Sequence, residues 1–196
     1  MIADNAVLRT DDPRTGELQA QGWQVFARSW GAQLNAADVD VRRLDALVDG
    51  LRDGGVVREL EPSDRAAILA LDVATVGDYP GGVATRHKAL DLEQATVTSR
   101  RRGFGVTSPN GALVAMTFVD VDGTHVETDF TVVAKQWRRR GLASAVKAAA
   151  VLALLGEGAE RFRTGGSEDN VASLAANTTV GYVIDEAWLT LAPPAP

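Results

Sequence analysis

"QWRRRGLASAVKAAA", Gln136 to Ala150, sets three consecutive arginines against a glycine and an alanine-rich apolar run. A strand-like "TVV" at Thr131–Val133 precedes it, so the local order is strand, tight basic turn, helix. The first N–H groups of any helix lack intrahelical acceptors and lie at the positive end of its dipole. A glycine in the turn, here Gly141, lets an anion approach the main chain closely, and arginine side chains add charge-assisted hydrogen bonds. Three readings are open at this level: a phosphate cradle, a solvated corner between elements, and a patch for nucleic acid. Two well-known phosphate loops are excluded. "GxxxxGK[ST]" occurs nowhere, and the turn has one glycine where the dinucleotide fingerprint needs three.

Past the arginines, Gly141 to Leu155 is apolar on nearly every side except at Ser144 and Lys147, as suits a buried helix. "EGAE" then turns into a strand at Arg161–Thr164, "SEDN" caps a short helix to about Thr179, and "GYVIDEAWLTLAP" closes as a strand. On the other side of the arginines, Asn110–Gly111 and Asp122–Gly123 mark tight turns between "GFGVT", "ALVAMTFVDV" and "THVETDFTVVA", which predicts a three-strand antiparallel meander. In its middle strand Ala112, Val114, Met116 and Phe118 form the more apolar face and are assigned to the core; Leu113, Ala115 and Thr117 face the other way.

The first half of the chain is more helical. Val56 to Leu60 is strand-like, Ser63 is placed to cap a helix carrying Ile68, Leu69 and Leu71, and "GDYPGG" is a loop with strong breakers. His87 to Thr98 suggests another helix, weakened by its Thr–Val–Thr end. Asn35 to Leu51 predicts a helix capped by Asn35, with Val39, Leu44, Leu47, Val48 and Leu51 as its apolar face and Gly54–Gly55 as its stop. "GWQVFARSW", Gly22 to Trp30, alternates as a strand does. "AQGWQVFARSW" also echoes "TVGYVIDEAW" near the C-terminus, by chance or because the first segment is a remnant of a preceding copy of the same kind of domain.

At 196 residues the chain is long enough for one domain with a core, and its net charge of −6 argues against a broad nucleic-acid surface. The absence of cysteine excludes disulfides, thiolate nucleophiles and thiolate metal sites. His87 and His125, the two histidines, are far apart in sequence, which argues against a histidine-rich metal centre. The start, "MIADNAVLRTDDPR", lacks the pattern of a signal peptide, and the longest apolar run, Ala148 to Leu155, is too short to span a bilayer. The expectation is a cytoplasmic protein with neither membrane nor nucleic acid as partner and with no metal.

Arg138-Arg139-Arg140-Gly141-Leu142-Ala143 resembles [Q/R]-x-x-G-x-[G/A], the pyrophosphate-binding signature of the GNAT superfamily of acyl-CoA N-acyltransferases, which also lies between a strand and a long helix. About thirty residues later, "NVASLAANTTVGY" is similar to a second pattern of that family, N-x-x-[A/S]-x-x-x-Y-x-x-x-G-[F/Y]. Asn170, Ser173, Gly181 and Tyr182 are in register, and Asn177 stands in place of the tyrosine. The resemblance covers Val56 to the C-terminus well and the first fifty or so residues poorly. It implies an α/β (α+β) GNAT fold, a central mixed, mostly antiparallel twisted sheet flanked by helices. Residues 56–196 form the acetyltransferase domain and residues 1–55 a strand–helix extension, read as a remnant of a preceding GNAT half-domain.

By that resemblance the acyl donor is acetyl-CoA and the acceptor a primary amine of a small molecule or a protein. The pyrophosphate falls to backbone amides from Arg139 to Ser144, with Arg138 and Arg139 adding charge and Arg140 bordering them. Leu142 and Ala143 contribute main chain. The pantetheine arm pairs with the strand edge at Thr131, Val132 and Val133, a backbone N–H near Val133 faces the oxyanion, and Asn170 contacts the arm or simply caps its helix. Glu127, with Asp129 beside it, is the expected general base, two neighbouring carboxylates raising one pKa; in a regular strand both share a face with Thr131 and Val133. Asn177, at the family's tyrosine position, belongs to the donor site but cannot serve as an acid, and Tyr182 is assigned to the core. Asp78, Tyr79 and His87 are expected to line the acceptor pocket. A homodimer is left open, as is a second function class, a non-catalytic module of this fold that binds CoA or a partner protein.

Overall fold

A computed structural model of the chain describes residues 5–51, 55–82 and 84–194. In chain order the elements are β1 (Ala6–Arg9), α1 (Arg14–Ala20), β2 (Gln24–Asn35), α2 (Val41–Asp49), β3 (Val56–Glu59), α3 (Arg65–Thr75), β4 (Arg101–Thr107), β5 (Leu113–Asp122), β6 (His125–Val133), α4 (Leu142–Gly156), β7 (Arg161–Ser167), α5 (Val171–Val180) and β8 (Val183–Ala192). The strands form one sheet in the order β1-β8-β2-β7-β6-β5-β4-β3. Every neighbouring pair is antiparallel except β6 and β7.

The predicted meander is present as β4, β5 and β6, with Gly111 and Gly123 in left-handed conformation at its turns. Its middle strand departs from the two-faced expectation. Ala115 and Thr117 are as fully buried as Met116 and Phe118, because helices cover both faces: α4 with α2 and α5 on one, α3 on the other. On the α4 face Phe104, Val119, Val126 and Phe162 pack with Val151, Leu154 and Leu44. On the α3 face Phe118 and Phe130 stack at 5.2 Å, beside Ile68 and Leu71.

Residues 5–51 are interleaved with the rest of the sheet. β2 lies between β7 and β8, and Trp30, Ala32 and Leu34 enter the main core. The two echoing segments are antiparallel neighbours, with Ser29 opposite Trp188 and Trp30 opposite Ala187.

Three local expectations need correcting. The strand from Gln24 continues through Leu34 to Asn35, so α2 starts later and is capped by Asp40, whose carboxylate accepts from Arg43 N at 3.1 Å. The predicted stop is Gly54–Gly55, of which Gly54 lies outside the described residues; α2 ends earlier, at Asp49, with Gly50 as C-cap. Ahead of α3 the capping box is Glu61 with Asp64, not Ser63. His87 to Thr98 forms no helix, only a turn at Asp91–Ala95. Its polar groups are spent on α3: His87 Nε2 lies 2.5 Å from Asp72 Oδ1, and Leu90 N donates to Asp72 Oδ2 at 2.8 Å.

Candidate functional site

The parallel pair β6 and β7 is joined over three positions, His125 with Arg161, Val126 with Phe162 and Glu127 with Arg163. Beyond them β7 stays on β2 as far as Ser167, while β6 continues on β5 to Val133. The two strands therefore part, and the β7-facing edge of β6 from Thr128 onward has no strand partner among the described residues. A bulge coincides with the parting: Val119 opposes Thr128 and Phe118 opposes Phe130, so Asp129 is an extra residue. The bulge reverses the alternation of β6. Glu127 and Asp129 line one hollow, whereas Thr131 and Val133 line another, against the expectation of a shared face.

The hollow on the arginine side encloses about 450 Å³ between the end of β6, the turn before α4, the first turns of α4, and α5. At its mouth Arg139 has φ 63° and Gly141 φ 82°, two left-handed residues that bend the chain into the helix. Only glycine takes such a φ without cost; Arg139 is the one other residue with positive φ among those described. Among the described residues the amides of Gly141, Leu142, Ala143 and Ser144 have no backbone acceptor, and the helix ladder opens with Ala145 N on Gly141 O at 3.0 Å. Four amides at a helix N-terminus suit an anion.

The arginines differ. Arg138 turns back on the protein, donating to Val133 O and to Asp78 Oδ2, both at 3.1 Å. Arg140 lies over the Trp137 ring at 4.9 Å and donates to Gln136 O. Arg139 has neither hydrogen bond nor ion pair within the described residues, which leaves its guanidinium available to an anion. Asp78, expected with the acceptor, is instead Arg138's partner in this hollow.

Asn170 caps α5, accepting from Ser173 N at 3.0 Å, and lines both hollows. Asn177, expected in the donor site, lines neither. Its amide nitrogen donates to Ser173 O at 2.9 Å, and its buried Oδ1 has no partner among the described residues. Tyr182 is buried in the core as expected.

The second hollow encloses about 570 Å³ and holds Glu127, Asp129, Tyr79 and His87 with Trp30, Arg163 and Glu186. Glu127 has no hydrogen bond or ion pair among the described residues. Desolvation raises its pKa above the ordinary carboxylate value; Arg163 opposes this, and Glu186 and Asp120 reinforce it. Asp129 is not the cause, contrary to the expectation of a coupled pair: it is held by Arg101 at 2.6 Å. Burial, followed by the Asp129 charge, raises the Tyr79 phenol. His87 stacks on Phe130 at 4.2 Å and sits 5.3 Å from Tyr79, with Nε2 committed to Asp72.

Sequence reasoning missed Trp30, Arg163, Glu186, Asp72 and Lys147. The first three come from strands that meet only in the sheet. Asp72 and Lys147 had a signal, each a charged residue inside an apolar helical run.

No family model matches the chain, and no curated protein matches it in sequence. Solved structures share its architecture. A GCN5-related N-acetyltransferase-like protein from Streptococcus suis superposes with a TM-score of 0.65 at 19% identity, over 95% of this chain and 70% of that one. A GCN5-related N-acetyltransferase from Sphaerobacter thermophilus gives 0.70 at 13% identity, over 95% and 58%. A tandem GNAT protein from the clavulanic acid biosynthesis pathway gives 0.63 at 20%, over 98% and 65%. In the latter two the chain spans less than two thirds of the other protein's length. The fold is the GNAT fold.

Proposed function

We propose that this chain, built on the GNAT fold, is an N-acyltransferase that moves an acetyl group from acetyl-CoA to a primary amine of a small molecule or protein. The parting of β6 from β7 carries this reading, because the anion cradle at Gly141–Ser144 and the hollow holding Glu127 lie on adjacent stretches of the parted strand; Tyr79, Pro80 and Asn170 line both hollows. The cradle and Arg139 suit the donor's pyrophosphate. The free edge of β6 at Thr131–Val133 suits the amides of its pantetheine arm, in the manner of an added strand. Because Val133 O already accepts from Arg138, that pairing falls on the remaining groups of the edge, and the Val133 N–H is kept for the oxyanion.

An alkyl ammonium has a pKa of about 10.4 and must lose a proton before it attacks. Glu127 lines the acceptor hollow with no partner among the described residues, and its raised pKa suits a base that takes this proton. The amine nitrogen then bonds to the thioester carbon, the C–S bond breaks with its electron pair on sulfur, and the nitrogen's second proton passes, directly or through water, to the departing thiolate. A thiol pKa of about 8.5 makes this a tolerable leaving group without an acid at Asn177.

Asn177 also favours a second reading, a non-catalytic module that binds CoA. A thermal-shift titration with acetyl-CoA, followed by acetylation assays on a panel of amines, separates the two. Ligand at a hundred times its Kd stabilises by about 2.7 kcal/mol; no shift at millimolar acetyl-CoA refutes both readings, and a shift without turnover on any amine leaves the module.

A further inference from the structure

Lys147 lies in the second turn of α4, three residues after Ser144, and both line the arginine-side hollow. It is 4% exposed. Its ammonium has three donors, yet no described residue accepts a hydrogen bond from it or forms an ion pair with it. Nζ is not among the described side-chain atoms that are both fully enclosed and without a partner, so it opens on the hollow, where a bound molecule can accept from it. The charged and titratable groups around the hollow are Arg138 and Arg139 from the turn and Asp78 and Tyr79 from the segment after α3; β6 and α5 contribute none. Asp78 is taken by Arg138. On a chain of net charge −6, this hollow is locally cationic.

We propose that Lys147 is a binding residue for the acyl donor, its ammonium donating hydrogen bonds to the pantetheine arm of the coenzyme-A thioester. The proposal rests on the acyltransferase reading and names a contact within it. Position on the helix favours the arm over the phosphates: three to six residues beyond the cradle, Lys147 is about 4.5 to 9 Å further along the axis than its amides. Burial lowers its pKa from 10.5 to about 7, so near neutrality the empty site holds a large neutral fraction. An acceptor atom favours the ammonium, and donor binding is therefore accompanied by proton uptake.

Isothermal titration calorimetry tests this with two probes, CoA and adenosine 3′,5′-bisphosphate, which carries phosphates without the arm. Each is titrated at pH 7.5 in two buffers of different ionisation enthalpy, into the wild type, Lys147→Met and Lys147→Gln. Wild-type CoA binding should take up a fraction of a proton. Both variants should lose that uptake, and Lys147→Met should bind CoA at least about tenfold more weakly while its affinity for the bisphosphate is unchanged. A wild type that binds CoA without proton uptake overturns the proposal, even if neither variant folds. Equal weakening of both probes, or CoA affinity unchanged in Lys147→Met, overturns it too. A wild type that binds neither CoA nor acetyl-CoA instead removes the acyltransferase reading on which it stands.

Discussion

Replacing Lys147 with methionine should stabilise the ligand-free protein, by an amount that depends on pH in a calculable way. Methionine fills nearly the same volume and removes a charge that has no partner among the described residues. In the folded chain burial lowers the lysine pKa from 10.5 to about 7, which corresponds to about 5 kcal/mol of disfavour for the charged form. Below pH 7 both folded and unfolded chains carry the proton, and the folded state bears that whole cost. Between pH 7 and 10.5 the unfolded chain holds a proton that the folded chain has released, so wild-type stability rises with pH, by about 1.4 kcal/mol per pH unit. Above pH 10.5 both are neutral and the contribution vanishes. The methionine variant lacks this titration, while other ionisable groups are common to both proteins and largely cancel in the difference. Urea unfolding of both at pH 7, 8 and 9 should show the variant's advantage largest at pH 7 and smaller by about 2 kcal/mol at pH 9. Parallel stability curves across that range would refute the assignment of an unpaired buried lysine.

Asp72→Asn removes the charge facing His87 and weakens the acceptor of Leu90 N; a loss of about 3 kcal/mol in denaturant unfolding is expected, and less than about 1 kcal/mol would show that the pair does not hold the His87–Leu90 segment to α3. Glu127→Gln should lower amine acetylation at least about a hundredfold with little change in melting temperature, since the side chain has no partner among the described residues; unchanged turnover at every pH removes Glu127 as base. In Gly141→Ala a Cβ meets nothing within 4 Å, so the cost comes from φ +82° alone and should be about 1 to 2 kcal/mol. Acetyl-CoA affinity, measured by thermal shift, should fall as the cradle relaxes, and an unaltered affinity would place the pyrophosphate elsewhere.

The strand–turn–helix at Thr131 to Gly156 was legible because each part is a local property. Alternating apolar residues make a strand, a glycine takes a positive φ, and an apolar run makes a buried helix. The Asn–Gly and Asp–Gly turns placed the meander for the same reason. Asn35 and Ser63 misled as caps because several residues near each helix start can cap it, and the better hydrogen bonds belong to Asp40 and to Glu61 with Asp64. The helix expected from His87 to Thr98 failed for a tertiary reason, since Asp72 offers His87 and Leu90 stronger bonds than a helix ladder does.

By itself the sequence determined the meander and the strand–turn–helix around Gly141 from short-range pattern, while the fold class and the choice of Glu127 and Asp129 came from the resemblance of its motifs to the GNAT family. The tertiary structure alone decided which surfaces meet. It placed β2 between β7 and β8, inserted Asp129 as an extra residue that sends Glu127 and Thr131 into different hollows, and tied Arg138 to Asp78. It also enclosed Lys147 without a partner among the described residues. Burial and pairing depend on residues distant along the chain, and no window of sequence contains both partners.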